Sequence, residues 1–405
     1  MVGGTAVLAA CVATPARPSA APPPAVTAVA APVTIAPGVN PIPRLELLDV
    51  LIMPRGDATA SRDQLFGSVS GLVRDALSGR YLAVIDDRLP ARVAWLDIRH
   101  QAGTMTVHVD AVAPISAATG IDRGAVTGAD LESVVAMPDG TFVATEEGHN
   151  PRTDEGQRAG SFPAALLTLS PAMVVTAVDP WPAMFNVGRE NGGIRDNQGA
   201  ESLARTPDGR LIGGLEQPRY ADSPDGAPRN GRPFNEGRGG PGRLVEFVHA
   251  RGSWEARRQW LYLIAPTETR AGFDTICDDG ENGLAELLAL DDLRLLALER
   301  ACLQNTFTKA ARNTAHLYLV DLAGADDVSG MPTLQGVQVR GVTKTLLLDF
   351  DTLIPKLPAP VANLDNFEAL AFGPPLADGT RTLLVMSDDN FRPTQKNVLL
   401  RLAIR

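Results

Sequence analysis

One pattern recurs five times along this chain of 405 residues, and it constrains the fold more than any single motif. A short apolar strand carrying an acid or a serine runs into a tight turn, and a second apolar strand follows and ends in acids. The copies are GSVSGLVRDALSGRYLAVIDDR from Gly67, LESVVAMPDGTFVATEEGH from Leu131, AESLARTPDGRLIGGLEQP from Ala200, LAELLALDDLRLLALER from Leu284 and FEALAFGPPLADGTRTLLVMSDDNF from Phe367. Pro138-Asp139-Gly140 and Pro207-Asp208-Gly209 are hairpin turns, in which proline presets the first dihedral and glycine supplies a positive φ. Two further strand-like runs follow each hairpin, for example AALLTLS and MVVTAVDPW after the second, so each unit offers four strands. Radial repetition of four-stranded units is an all-β propeller. Five blades are counted, and insertions at 181–197, 218–240 and 266–281 leave room for a sixth. The last unit stops one strand short at NVLLRLAIR, whereas RLELLDVLIMP, residues 44–54, precedes the first unit without a partner. The N-terminal strand is therefore predicted to complete the last blade and close the ring, removing two open edges. The 38 Gly and 32 Pro leave no room for the helices that a doubly wound α/β fold places between strands.

In each hairpin the start of the first strand and the end of the second lie at one edge, and the first strand of a blade lines the central axis. The repeated polar residues sit at those two places. Near strand starts stand Ser70, Glu132, Glu201, Glu286 and Glu368, and at strand ends Asp86, Asp87, Glu146, Glu147, Glu216, Glu299, Asp388 and Asp389. All are expected to converge on one mouth of the channel. Glu286 stands two residues nearer its turn than Glu201, a shift that keeps a residue on the same side of a strand. Gathered carboxylates repel unless protons or cations relieve them. Calcium, bound by many oxygen ligands, is the candidate cofactor. Its candidate ligands are Glu132, Glu147, Glu201, Glu216, Glu286, Glu299, Glu368, Asp388, Asp389 and Asn390, with Asn197, Asn282 and Asn366 nearby. The alternative is that each acid accepts hydrogen bonds from backbone N–H groups of its own or the next blade. Arg88, His149, Arg300 and Arg392 lie beside the acids; an arginine there either forks onto a phosphate or carboxylate or pairs with its acidic neighbours. Glu201 and Glu368 are candidate bases, and His149 and Arg300 complete the candidate catalytic set.

Other chemistries find no footing. A formal net charge of -10 argues against nucleic acid as a partner. There is no G-x-S-x-G elbow, H-E-x-x-H pair or Walker loop, and the five histidines are too scattered for zinc. Residues 237–242 match G-x-G-x-x-G, but within a Gly/Arg-rich run that reads as a loop.

The N-terminus has a different character. Leu8-Ala9-Ala10-Cys11 resembles a bacterial lipobox, although no basic residue precedes its apolar run. Residues 1–11 are read as a lipoprotein signal with Cys11 as the lipidation site. Residues 12–43, rich in Pro and Ala with Arg17 as their only charge, are read as an extended tether, and 44–405 as the folded domain. No stretch is long and apolar enough for a spanning helix. The expectation is an exported monomer that meets the membrane of the cell envelope only through its lipid anchor. Cys277 and Cys302 then remain in a compartment where disulfides persist. A bridge closing about 25 residues is worth roughly 3 kcal/mol; two buried thiols are the alternative.

The phrases NGLAELLALDDLRLLALER and DNFEALAFGPPLADGTRTLLVMSDDNF, with SGL at 70–72, closely resemble the phytase-like domain of bacterial "esterase-like activity of phytase" proteins. The resemblance runs from Phe66 to the C-terminus and is most specific over Asp365 to Phe391. It implies a β-propeller and calcium-assisted hydrolysis of phosphoric esters. Glu132, Glu201, Glu286, Glu299, Glu368, Asp388, Asp389 and Asn390 fall in the segments that resemble the family. The leading expectation is a calcium-dependent phosphoesterase acting on a small phosphorylated or ester substrate. The alternatives are a non-catalytic envelope propeller that binds a ligand or partner protein, and a calcium-dependent lactonase or other carboxylic-ester hydrolase.

Overall fold

A computed structural model describes Met1 and residues 42–53, 61–87, 90–101, 104–150, 162–223, 239–277, 282–361 and 364–405. Cys11, most of the 12–43 tether and Arg88 lie outside the described residues.

The described strands fall into five sheets in chain order, one per repeat, antiparallel except where the short strand Ser116–Ala117 pairs in parallel with the strand Val174–Pro180. Strand β1 (Leu45–Ile52) comes first. Blade 1 holds β2 (Val69–Arg74), β3 (Tyr81–Ile85), β4 (Arg92–Gln101) and β5 (Thr104–Pro114). After the short β6 (Ser116–Ala117) and helix α1 (Arg123–Thr127), blade 2 holds β7 (Leu131–Ala136), β8 (Phe142–Glu146), β9 (Ala165–Leu169) and β10 (Val174–Pro180). Blade 3 holds β11 (Ala200–Arg205), β12 (Leu211–Leu215), β13 (Gly240–Ala250) and β14 (Ser253–Ile264). Past β15 (Thr275–Ile276), blade 4 holds β16 (Asn282–Ala289), β17 (Arg294–Gln304), β18 (Ala311–Asp321) and β19 (Thr343–Asp349). Blade 5 holds β20 (Asn366–Gly373), β21 (Thr382–Asp388) and β22 (Val398–Ile404), and β1 pairs antiparallel with β22 as its fourth strand. The predicted closure is therefore present, and reciprocal bonds Arg44 N to Arg405 O (2.7 Å) and Arg405 N to Arg44 O (2.8 Å) extend it.

The fold is the expected β-propeller, and among the described residues it has five blades. Of the insertions that left room for a sixth, residues 181–197 form turns and isolated bridges, and β15 pairs with the far end of β17, so it extends blade 4; residues 224–238 and 278–281 lie outside the described residues. The inner strands β2, β7, β11, β16 and β20 neighbour one another in that order around the ring. Each sheet buries both faces against its neighbours, so the core is a set of layers between blades. Leu82, Val84 and Val93 of blade 1 meet Leu131, Phe142 and Leu167 of blade 2; Leu296 and Leu317 of blade 4 meet Leu370, Leu383 and Leu400 of blade 5. This burial takes the inner strands of the blades out of water.

One local irregularity, repeated in every blade, positions the polar residues. The register of each inner strand slips by a β-bulge, between Val69 and Gly71, Leu131 and Val134, Ala200 and Ser202, Leu284 and Glu286, and Phe367 and Ala369. A bulge inserts an extra residue opposite one partner and re-aims its side chain. The bulged positions are Ser70, Glu132, Glu201, Ala285 and Glu368, acidic in three blades.

Cys277 and Cys302 form a disulfide with Cα atoms 5.3 Å apart, and Cys277 N donates to Cys302 O at 3.0 Å. The bridge ties β15 to the end of β17, at the mouth end of blade 4.

Candidate functional site

The second strand of each hairpin leaves the sheet at the mouth, and its residues alternate in direction as a strand requires. Register aligns Ile85, Glu146, Leu215, Glu299 and Ser387, each opposite the residue before a bulge. One residue further on come Asp86, Glu147, Glu216, Arg300 and Asp388. This second row and the bulged acids meet at the axis.

Two groups of carboxylates form there. Ligand atoms of Asp86, Asp130 and Glu132 lie within 4.8 Å of one another, and so do those of Glu147, Glu201 and Glu216. All but Asp86 are buried. At such a separation two unit charges repel by about 3 kcal/mol even at an effective dielectric of about 20. Burial, and then the charge of neighbouring acids, accordingly pushes the carboxyl groups of Glu132, Glu147 and Glu201 well above their usual value. Asp388 is raised in the same way by burial, Glu368 and Asp86. Arg300 answers part of this charge. Its Nε lies 2.8 Å from Glu368 Oε1, and one terminal nitrogen lies 3.4 Å from Glu216 and 3.6 Å from Glu201. Glu368 also accepts from Asn366 Nδ2 at 2.7 Å and from Ser70 Oγ, its counterpart in blade 1, at 3.3 Å.

The backbone comes very close around these groups. Gly199 N donates to Glu147 Oε1 at 3.0 Å, and a Cβ on Gly199 would stand 2.2 Å from the Glu147 carbonyl oxygen. Glu147 Oε2, in contrast, is buried and has no hydrogen-bond partner among the described residues. A carboxylate oxygen left without a donor inside a cluster of acids fits a bound cation, and an all-oxygen donor set suits a hard ion such as calcium.

The expectation that every repeated acid converges on this mouth needs correction. Glu286 lies opposite Leu298, aligned with Ser202 and Ser133, so it stands one residue past the bulge where blade 4 carries Ala285. Measured from the matching turn bonds at Thr206 and Leu290, Glu286 is offset from Glu201 by one residue and not by two, so it falls on the other side of its strand. Glu286 reaches across the axis below the cluster and accepts from Ser133 Oγ at 2.8 Å, Leu203 N at 3.2 Å and Leu287 N at 2.9 Å. It braces three blades and is not in the mouth. Glu299 faces the layer between blades, where it accepts from Tyr262 Oη at 2.6 Å and Ala265 N at 3.0 Å and pairs with Lys344. Lys344 also lies over the rings of Tyr262 and Tyr318. Asp389 accepts from Ser68 N at 2.9 Å and Phe391 N at 3.1 Å, holding the loop between blades 5 and 1. Asp87 is engaged by Arg62 and Arg92. Asn390 N donates to Asp388 Oδ1 at 2.5 Å, with φ at +46°. His149 is fully buried behind the mouth, stacked on Phe162 with ring centroids 4.4 Å apart and its Nδ1 3.1 Å from Glu146. It approaches the cluster at Asp130, whose Oδ2 lies 3.9 Å away.

Asp130 was not among the expected site residues. It precedes β7 in a loop, outside the strand pattern, and the signal available was its spacing of two from Glu132. Beside the acids, a cavity of about 330 Å³ is lined by the disulfide, Asp365, Asn366 and Asn390 and by the cationic Arg312, Arg392 and Lys396. Asn366 links the two, since it lines the cavity and donates to Glu368.

No curated protein matches this sequence. Solved structures of similar fold include an endo-arabinase from Bacteroides thetaiotaomicron (11% identity, 83% of this chain and 93% of that one, TM-score 0.38) and a GH43 β-1,3-galactosidase with galactodeoxynojirimycin (12%, 87% and 95%, 0.40). The major allergen Mala s 1 of Malassezia sympodialis is a third (9%, 85% and 96%, 0.38). Similarities this low bear on neither substrate nor site. The phytase-like family, described as "Esterase-like activity of phytase", matches residues 64–391, from just before β2 to just past β21. The chain therefore belongs to the phytase-like family.

Proposed function

We propose that this protein is a calcium-dependent hydrolase of phosphoric esters, with its site at the acidic mouth of the propeller. The observation that carries the proposal is the buried pair of carboxylate groups, in which Glu147 Oε2 has no donor while its neighbours repel. Asp86, Asp130 and Glu132 would hold one ion, and Glu147, Glu201 and Glu216 a second. Bound calcium would supply the positive charge that stabilises a phosphoryl oxygen and would hold and polarise the attacking water, which still needs a base to take its proton. The protein's own groups do the rest. Burial of the acids excludes bulk water and strengthens every charge interaction in the site. Arg300 presents a guanidinium fork suited to a phosphate. Arg312, Arg392 and Lys396 favour an anionic substrate in the adjoining cavity. Glu368, outside both carboxylate groups yet in contact with Arg300, is the candidate to accept the proton of the attacking water, with Glu201 second. His149 has only a positioning role, through Asp130.

The proposal includes export and anchoring through Cys11, in keeping with a disulfide that an oxidising compartment preserves. Turnover of p-nitrophenyl phosphate and of phytate, each with calcium and with EGTA, tests the reading. Calcium-dependent release of phosphate is expected. A folded protein that binds calcium but hydrolyses neither compound removes the phosphatase assignment.

A further inference from the structure

The strand position that holds Asp86, Glu147, Glu216 and Asp388 in four blades holds Arg300 in blade 4. The substitution places a permanent cation inside a ring of acids. Its contacts are divided: Nε goes to Glu368, while one terminal nitrogen is shared between Glu216 and Glu201 at 3.4 and 3.6 Å. Glu201 and Glu216 also belong to the group whose third member, Glu147, has the donorless buried oxygen. A metal ion entering that group must take oxygens that Arg300 now faces, and two like charges cannot share them closely. Arg300 is the more accessible party, its side chain 11% exposed against 4–6% for the three acids.

We infer that Arg300 is a displaceable internal cation, which holds Glu201, Glu216 and Glu368 together in the metal-free protein. It yields those acids to an entering divalent cation and then turns its guanidinium to the anionic group of the substrate. The consequence is reciprocal coupling. Cation binding frees the anion receptor, and anion binding draws Arg300 off the cation's ligands, so each strengthens the other by the same factor. The inference rests on the calcium reading of the mouth and adds its regulation by substrate.

Calcium titration by calorimetry on the purified protein, at micromolar calcium with and without inorganic phosphate, tests it. In the wild-type protein, phosphate is expected to tighten calcium binding several-fold. Arg300→Gln is expected to bind calcium about tenfold more tightly than wild type and to lose the phosphate effect. Equal or weaker calcium binding by this variant, or an undiminished phosphate effect, overturns the inference. If Arg300→Gln does not fold without calcium, the comparison uses Arg300→Lys, which keeps the charge but not the fork. Coupling at least halved then supports the handover, and unchanged coupling overturns it. These are binding measurements, so they remain decisive whatever the turnover assays show. Absent hydrolysis with calcium bound counts against the hydrolase proposal alone, and unchanged calcium affinity in Arg300→Gln counts against the handover alone.

Discussion

The two faces of the second strands make an instructive contrast. Glu299 and Arg300 are adjacent in sequence, as are Glu146 and Glu147, yet one member of each pair belongs to the layer between blades and the other to the channel mouth. The interblade acids are bonded as structural groups: Glu299 by a tyrosine hydroxyl, a backbone amide and Lys344, and Glu146 by His149 and the Asp130 amide. The mouth acids crowd one another, and Glu147 keeps an oxygen without a donor. The lesson is that an acid's chemical identity says little until its partners are known. A carboxylate with matched donors braces the fold, and one surrounded by other carboxylates awaits a proton or a cation.

Breaking the interblade face should cost most. Glu299→Ala takes the acceptor from the buried Tyr262 hydroxyl and the counter-charge from the partly buried Lys344, which keeps only its hydrogen bond to Leu263 O among the described residues, and is expected to destabilise by about 3–5 kcal/mol. Urea unfolding measures this loss, and calcium affinity should stay as in the wild type. A large fall in calcium affinity with stability retained would place Glu299 in the metal site after all. Replacing Cys277 and Cys302 by serine should cost roughly 3 kcal/mol, read as a lower melting temperature, because the 25-residue loop regains its freedom in the unfolded chain.

The mouth should respond in the opposite direction. Glu147→Gln removes a buried charge from a repelling group, so the metal-free protein should gain about 1 kcal/mol while calcium binding weakens. Loss of stability in EGTA would show that Glu147 is bonded as its interblade neighbour is. The smallest effect is a pH slope. Glu132, Glu147, Glu201 and Asp388 have folded-state values raised above the ordinary carboxylate range, so the folded protein binds more protons than the unfolded chain. Their contribution is fully favourable below the unfolded value, near 4.5 for Glu, and is lost as pH rises through the raised folded values. Urea midpoints in EGTA should therefore fall as pH rises from the unfolded value toward neutrality. Saturating calcium should flatten that slope. A midpoint unaffected by pH in EGTA would mean that the acids are already neutralised within the chain.

Much of the architecture was readable from the residues. The hairpin repeat gave the blades, the unpaired segment at 44–54 gave the closing strand, and the two remaining cysteines gave the bridge, because each is a local pattern with one economical partner. The mouth was readable only as an address. Glu132, Glu147, Glu201, Glu216, Glu368 and Asp388 were found there, but Glu286, Glu299 and Asp389 were assigned to it wrongly and Asp130 was missed. Both errors have a geometric origin. Counted from the turn bonds, Glu286 is offset from Glu201 by one residue, which puts it on the other side of its strand, and Asp130 lies on a loop whose direction the strand period does not govern.

The sequence by itself determined a ring of four-stranded blades, its closure and the end at which acids accumulate, since strand alternation, turn chemistry and repeat length act over neighbouring residues. Only the tertiary structure decided which acids face each other. That choice depends on a one-residue slip in each inner strand and on contacts across the axis between residues far apart in the chain. In blade 4 it also set Arg300, where the other blades carry an acid, against Glu201, Glu216 and Glu368.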